Sequence, residues 1–135
     1  MPREPSLASQ LPHDGVRVRL GVSDIHGVGV FALAPIAKGT NVFARDQRPL
    51  TWVDAAELEG VEPFERAFYE DFAIRRGGRF GCPESFDQLS VGWYVNETRE
   101  GEMPNLAPTP EDELIAARDI AAGEELTVDY AAFGR

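Results

Sequence analysis

The sequence is poor in the residues that build several common kinds of site. It holds one cysteine, Cys82, so no disulfide can close within the chain and no cysteine-built zinc cluster is available. Two histidines, His13 and His26, are too few for a histidine-rich metal site, and no metal ligand set is expected. Lysine occurs once, as Lys38. No apolar run approaches the ~20 residues that span a bilayer, and residues 1–15 lack the apolar stretch of a secretory signal. A cytoplasmic, bacterial-type protein with no membrane partner is the expectation.

What the chain does have is a moderate apolar content and an excess of acid. Its 135 residues are 43% hydrophobic and 27% charged, the balance of one soluble globular domain. The formal net charge of −10 is uneven. Residues 1–50 carry six bases and four acids, whereas residues 51–135 carry seven bases and 19 acids. Direct nucleic-acid binding is disfavoured, because neutralising phosphates needs a basic face. An acidic surface would steer a basic substrate, although solubility alone explains the charge equally well at this point.

Residues 1–14, rich in Pro, Ser and Gln and without periodicity, read as a flexible arm. Val16–Leu20 alternates valine and arginine before leucine, a half-buried strand. Val30–Leu33 and Asn41–Ala44 read as further strands, separated by glycine turns. A helical insert is expected at about 54–78: Asp54 caps a short helix through Leu58, and Phe64, Ala67, Phe68, Phe72 and Ala73 fall at helical spacing between Pro63 and Ile74. Gly77-Gly78 would end that helix. Val91–Asn96 reads as a short aromatic strand and 100–110 as a proline-rich loop. Glu113–Arg118 and Glu125–Val128 read as two strands joined by a turn at Ile120–Gly123. The class is mainly β with a small helical insert.

Three stretches carry a likeness. They are Ser23-Asp24-Ile25-His26-Gly27-Val28-Gly29-Val30-Phe31-Ala32, Ile36-Ala37-Lys38-Gly39-Thr40, and Gly123-Glu124-Glu125-Leu126-Thr127-Val128-Asp129-Tyr130. Together they resemble the SET domain family of S-adenosylmethionine-dependent lysine methyltransferases, over about Val16 to Phe133. Gly81–Asp87 and Gly92–Asn96 look like the small free-standing bacterial members, which lack cysteine-rich zinc segments. The resemblance implies a single domain over 15–135, with a β-clip-like fold of short curved sheets around a pseudoknot.

The resemblance also implies site residues. Gly27, Val28 and Gly29 would approach the methionine part of S-adenosylmethionine, where glycine permits close contact. Asn96 matches the Asn of the family's Asn-His-Ser motif, and Pro104-Asn105 matches the Pro-Asn that follows. Glu97 stands where the family has His, Thr98 where it has Ser, and the loop over Arg99–Met103 is long. The His gives chiefly its backbone to the adenine, a role Glu97 retains; the ring's role is lost. Tyr94 and Phe133 are expected beside the cofactor, with Trp93 or Tyr94 lining a channel or packing in the core. Tyr130 is the expected catalytic residue, set between the cofactor methyl and the substrate amine.

Cys82 reads as a structural thiol, since no histidine lies near it in sequence. The implied function is protein-lysine N-methylation of a basic, lysine-containing protein or peptide. Two alternatives stand beside it: a non-catalytic binding module, motivated by Glu97, and a small-amine methyltransferase, motivated by the short chain. A homodimer that completes the substrate groove is a further expectation.

Overall fold

The computed structural model describes residues 17–46 and 49–133; the expected arm at 1–14 lies outside them. Among these residues nine short strands form four small sheets, with one α-helix at the edge of the core. The first hairpin is β1 (Val18–Val22) and β2 (Val28–Ala32), paired antiparallel from Val18 opposite Ala32 to Val22 opposite Val28. Val30 and Ala32 point into the core, which is why this hairpin has one buried face.

The insert contains more β structure than its sequence suggests. β3 (Thr51–Asp54), β4 (Ile74–Arg76) and β5 (Arg79–Cys82) make a three-stranded antiparallel sheet with β5 central. Between β3 and β4 lie a 3-10 turn over Ala55–Gly60 and the helix α1 (Pro63–Phe72). Proline at the first turn of α1 suits a position whose N–H needs no intrahelical partner. Asp54 precedes the 3-10 turn but makes no side-chain cap; its carboxylate lies 3.4 Å from Arg79 instead. Gly77-Gly78 does not terminate α1, which has already ended at Phe72. Both glycines have positive φ, 56° and 77°, and link β4 to β5 as a two-residue hairpin turn whose twist matches the strands.

Other expectations are also corrected. Val91–Tyr94 is a 3-10 turn rather than a strand. Within the expected loop at 100–110 lies β7 (Leu106–Pro108), paired antiparallel with β8 (Leu114–Ala116). The Asn41–Ala44 stretch contributes only a single bridge, Asn41 to Ile115. The two C-terminal strands do not pair with each other: β8 joins β7, and β9 (Thr127–Val128) joins β6 (Asn96–Glu97) in parallel.

The core gathers residues from nearly every segment. Ile36, Leu106, Ile120, Leu126, Val30 and Val128 are its largest fully buried side chains, each contributing roughly 1.5–3 kcal/mol of transfer free energy. Ile36 and Ile120 exchange both backbone hydrogen bonds, at 2.9 and 2.8 Å. That pair staples the 36–42 segment to the stretch after β8. Among the described residues no helix is long and apolar enough to cross a membrane.

Candidate functional site

The site is built around residues 125–130. On one side Leu126 N–H donates to Val30 O at 2.7 Å, and Glu125 bridges Phe31. On the other, Asn96 and Glu97 run parallel to Thr127 and Val128, and Thr98 N–H donates to Val128 O at 3.0 Å. Asn105, 2% exposed, grips the same segment through its side chain. Its Oδ1 accepts from Thr127 N–H at 2.8 Å, and its Nδ2 donates to Glu125 O at 2.9 Å. Both ends of the 96–105 stretch thus hold one C-terminal segment, the pseudoknot arrangement.

Beneath this clasp lies a polar cluster. The Glu125 carboxylate accepts from Ser23 Oγ, 2.8 Å from each oxygen, and from Asn96 Nδ2 at 2.9 Å. Asn96 Nδ2 is also within hydrogen-bond distance of His26 O (3.0 Å) and Val28 O (3.2 Å). Every one of these neighbours is an acceptor oxygen, which fixes the amide's orientation. Ser23 Oγ in turn accepts from Ile25 N–H and His26 N–H, so the Ser23–Gly27 loop is wound onto the cluster.

The two glycines of Gly27-Val28-Gly29 have different reasons. Gly27 has φ +46°, a conformation that favours glycine, with open space where a Cβ would stand. Gly29 has ordinary backbone, but a Cβ there would lie 2.3 Å from Glu125 Oε2. Its missing side chain is the room that Glu125 occupies.

Tyr130 opens a short 3-10 turn, Tyr130–Phe133, and sits where two clefts meet. Its hydroxyl donates to Val95 O at 3.0 Å, and its backbone N–H donates to Glu97 Oε2 at 3.2 Å. The larger cleft, about 490 Å³, has Phe72, Val95, Leu114 and Val128 among its apolar walls. Among the described residues lining it, Asp46, Glu111, Asp112 and Glu113 are acidic and none is basic. The smaller cleft, about 330 Å³, is lined by Glu70, Asp71, Arg75, Glu97 and Tyr130. Arg75 Nε is buried without a hydrogen-bond partner.

The sequence pattern of the SET domain family matches residues 27–131, most of the chain, including Gly27–Gly29, Asn96, Asn105, Glu125 and Tyr130. The chain belongs to the SET domain family. Solved SET structures share its fold. The methyltransferase domain of human PR domain-containing protein 2 is 23% identical, with 90% of this chain and 80% of that one covered at a TM-score of 0.56. A Plasmodium falciparum protein provisionally assigned as a histone methyltransferase is 18% identical, with 84% and 92% covered at a TM-score of 0.53. No curated protein matches the chain at a significant level.

Within this SET domain the expected residues land as follows. Tyr130, Asn96 and Glu97 converge, with Gly27–Gly29 joined to them through Asn96 and Glu125. Tyr94 packs edge-on against Phe72, ring centroids 5.6 Å apart, and against the core; Trp93 rather than Tyr94 lines the larger cleft. The Phe133 side chain lies outside the described part of the molecule. Helix α1 buries none of its residues and lends Phe72 to the cleft, so it is a wall rather than core.

Cys82 is buried in β5, and burial pushes its thiol pKa up, which suits a structural thiol. Burial, together with the charges of Cys82, Glu65 and Glu57, also pushes the Tyr69 phenol up; that ring packs on Phe80 and Phe86.

The sequence reading missed Ser23, Arg75 and Glu125 as site residues. Glu125 lies inside the quoted Gly-Glu-Glu-Leu-Thr motif, so a signal existed; only its partner, 102 residues away, was out of view.

The residues fit the cofactor that the family implies. S-adenosylmethionine carries a carboxylate, an ammonium group and ribose hydroxyls. The smaller cleft is lined by Arg75, whose Nε has no hydrogen-bond partner, and by three carboxylates: a cationic donor for the cofactor's carboxylate and acceptors for its ammonium and hydroxyls.

Proposed function

We propose that this SET domain is an S-adenosylmethionine-dependent protein-lysine N-methyltransferase acting on lysines in basic segments. The observation that carries the reading is Tyr130 at the junction of the two clefts, its hydroxyl tied to Val95 O. The cofactor, when bound, supplies a methyl group on a positively charged sulfur. Arg75, Asn96, Glu97 and the Gly27–Gly29 turn would hold it, with Tyr130 at its reacting end.

The substrate lysine would enter from the larger cleft. A free lysine has a pKa of ~10.4 and must lose its proton before its nitrogen can attack. The apolar walls at Val95, Leu114 and Val128 exclude water, which disfavours the ammonium form. A positive charge on the far side of the junction acts in the same direction. Tyr130 then orients the neutral amine through its hydroxyl, and the proton leaves to water. The acids Asp46, Glu111 and Glu113 at the larger cleft favour basic residues flanking the target and disfavour nucleic acid.

The test is incubation with isotope-labelled cofactor and host lysate, read by mass spectrometry. Labelled methyl-lysine in a basic sequence is the expected product. No label on any protein, together with no heat of cofactor binding in titration calorimetry, would overturn the assignment.

A further inference from the structure

We infer that the Glu97 side chain is a positioning residue for Tyr130, holding its backbone so that the hydroxyl stays at the junction of the clefts. This rests on the proposed role of Tyr130 and adds to it a residue that acts through that tyrosine.

The geometry is a two-point hold from one short segment. Parallel pairing between β6 and β9 ends at Glu97 opposite Val128, with Thr98 N–H taking Val128 O at 3.0 Å. The Tyr130 N–H lies two residues past that last pair. That amide is the first of a 3-10 turn, where N–H groups lack partners within the turn. Two other amides there find local acceptors: Ala131 N–H donates to Asp129 Oδ1 and Ala132 N–H to Asp129 O, both at 3.0 Å. The Tyr130 amide instead reaches 33 residues back in sequence, to Glu97 Oε2 at 3.2 Å.

The far end of the same residue is held by Val95 O, two residues before Glu97. Tyr130 is therefore pinned at its amide and at its hydroxyl by residues 95 and 97. Without the amide contact the start of the turn that carries the ring is held less firmly, and small displacements of a reacting group are costly in rate. The Glu97 carboxylate faces water along the smaller cleft and is exposed, so replacing it does not open a hole in the core.

The experiment uses Glu97→Leu, which removes the acceptor, and Glu97→Gln, which keeps an oxygen of the same reach. Hydrogen exchange at the Tyr130 amide, followed by NMR, reads the contact without any turnover. About tenfold faster exchange is expected in Glu97→Leu, with protection restored in Glu97→Gln. In methyl transfer, kcat at saturating cofactor and peptide should fall about tenfold in Glu97→Leu and recover to within about threefold in Glu97→Gln, with peptide KM little changed.

Unchanged exchange in Glu97→Leu would overturn the inference. So would an equal loss of kcat in both variants, or a loss confined to cofactor affinity. A wild-type protein that shows the protected amide and transfers no methyl would instead refute the proposed function, leaving the contact itself demonstrated.

Discussion

Replacing Gly29 by alanine tests whether the Ser23–Asn96–Glu125 cluster is the strut of the site. The backbone at Gly29 is one that any residue adopts, so the effect must come from space. The new methyl would stand 2.3 Å from Glu125 Oε2, 2.9 Å from its Cδ and 3.1 Å from Asn96 Nδ2, inside the ~3.5 Å of ordinary contact. The carboxylate must swing away, losing Ser23 Oγ at 2.8 Å and Asn96 Nδ2 at 2.9 Å. Hydrogen bonds to a charged group contribute ~1.5–3 kcal/mol each, and the freed carboxylate recovers part of this in water, so Gly29→Ala should cost about 3 kcal/mol. Glu125→Ala removes the same two bonds and should cost a similar amount. With Glu125 gone, the methyl meets only Asn96, and the double variant should be about 1 kcal/mol worse than Glu125→Ala alone. Urea unfolding of all four proteins closes the cycle; the expected coupling is about 2 kcal/mol or more. Heat unfolding should show each single variant melting about 10 °C lower. Gly27→Ala is the contrasting control: it meets no atom within 4 Å, so only its φ of +46° opposes it, at about 1 kcal/mol. Additive losses near 6 kcal/mol in the double variant, or a Gly29→Ala protein as stable as the parent, would refute the strut.

Tyr130→Phe should lower methyl transfer about a hundredfold while cofactor affinity stays within a few-fold; unchanged turnover removes Tyr130 from the chemistry. Raising ionic strength should lower kcat/KM on basic peptides and leave a neutral peptide almost unaffected, a contrast that steady-state assays at two salt concentrations would read. Asp112 has φ +65° and pairs with Arg76, which ties the turn before β8 to β4; both Asp112→Ala and Asp112→Gly lose the pair, but only alanine keeps the backbone penalty, so it should melt about 4 °C below the glycine variant. The raised thiol pKa of Cys82 keeps it protonated in the fold while the unfolded chain ionises. Its contribution to stability is therefore present at neutral pH and lost as pH rises through the folded pKa; native protein at pH 8 should be alkylated far more slowly than protein in urea.

The sequence made visible those parts of the molecule whose causes are local. Helix α1 was readable because Phe64, Phe68 and Phe72 repeat at helical spacing behind a proline, and the helix indeed begins at Pro63 and runs to Phe72. The sheet beside it was not. Its central strand, Arg79–Cys82, carries two arginines' worth of contradictory signal around it: Arg75 lies over the Phe80 ring at 5.1 Å, and Arg79 faces Asp54. Such a sheet covers its apolar face with the stems of charged residues, which hides the alternation a strand normally displays. β6 and β9 are two residues each, too short for any period, and exist because the clasp brings them together. In the site, Tyr130, Asn96 and the glycine turn could be carried over from motifs. What Gly29 makes room for, and where the Glu97 carboxylate goes, required partners 29 to 102 residues apart to be seen side by side.

The scarcity of lysine acquires a consequence once the site is read this way. Of the 13 basic residues, all but Lys38 are arginine. Arginine serves the structure's electrostatics well: Arg76 with Asp112, Arg79 with Asp54 and Arg118 with Glu124 each tie two segments or steady a turn, and Arg66 pairs with Glu70 along helix α1. A guanidinium stays protonated at any pH the fold survives, so it presents no neutral amine to a methyl donor. On the proposed reading, in which lysine is the substrate, a surface built from arginine leaves the acidic cleft with almost no lysine of the chain's own to compete for it. Lys38, exposed on the segment stapled to Ile120 and with its backbone N–H held by Asp119 Oδ1, is the single exception. The choice of arginine over lysine leaves the net charge unchanged; the value of −10 comes from 23 acids against 13 bases. On that same reading, the acidic lining of the larger cleft is matched to a basic segment that brings the lysine this chain almost entirely lacks.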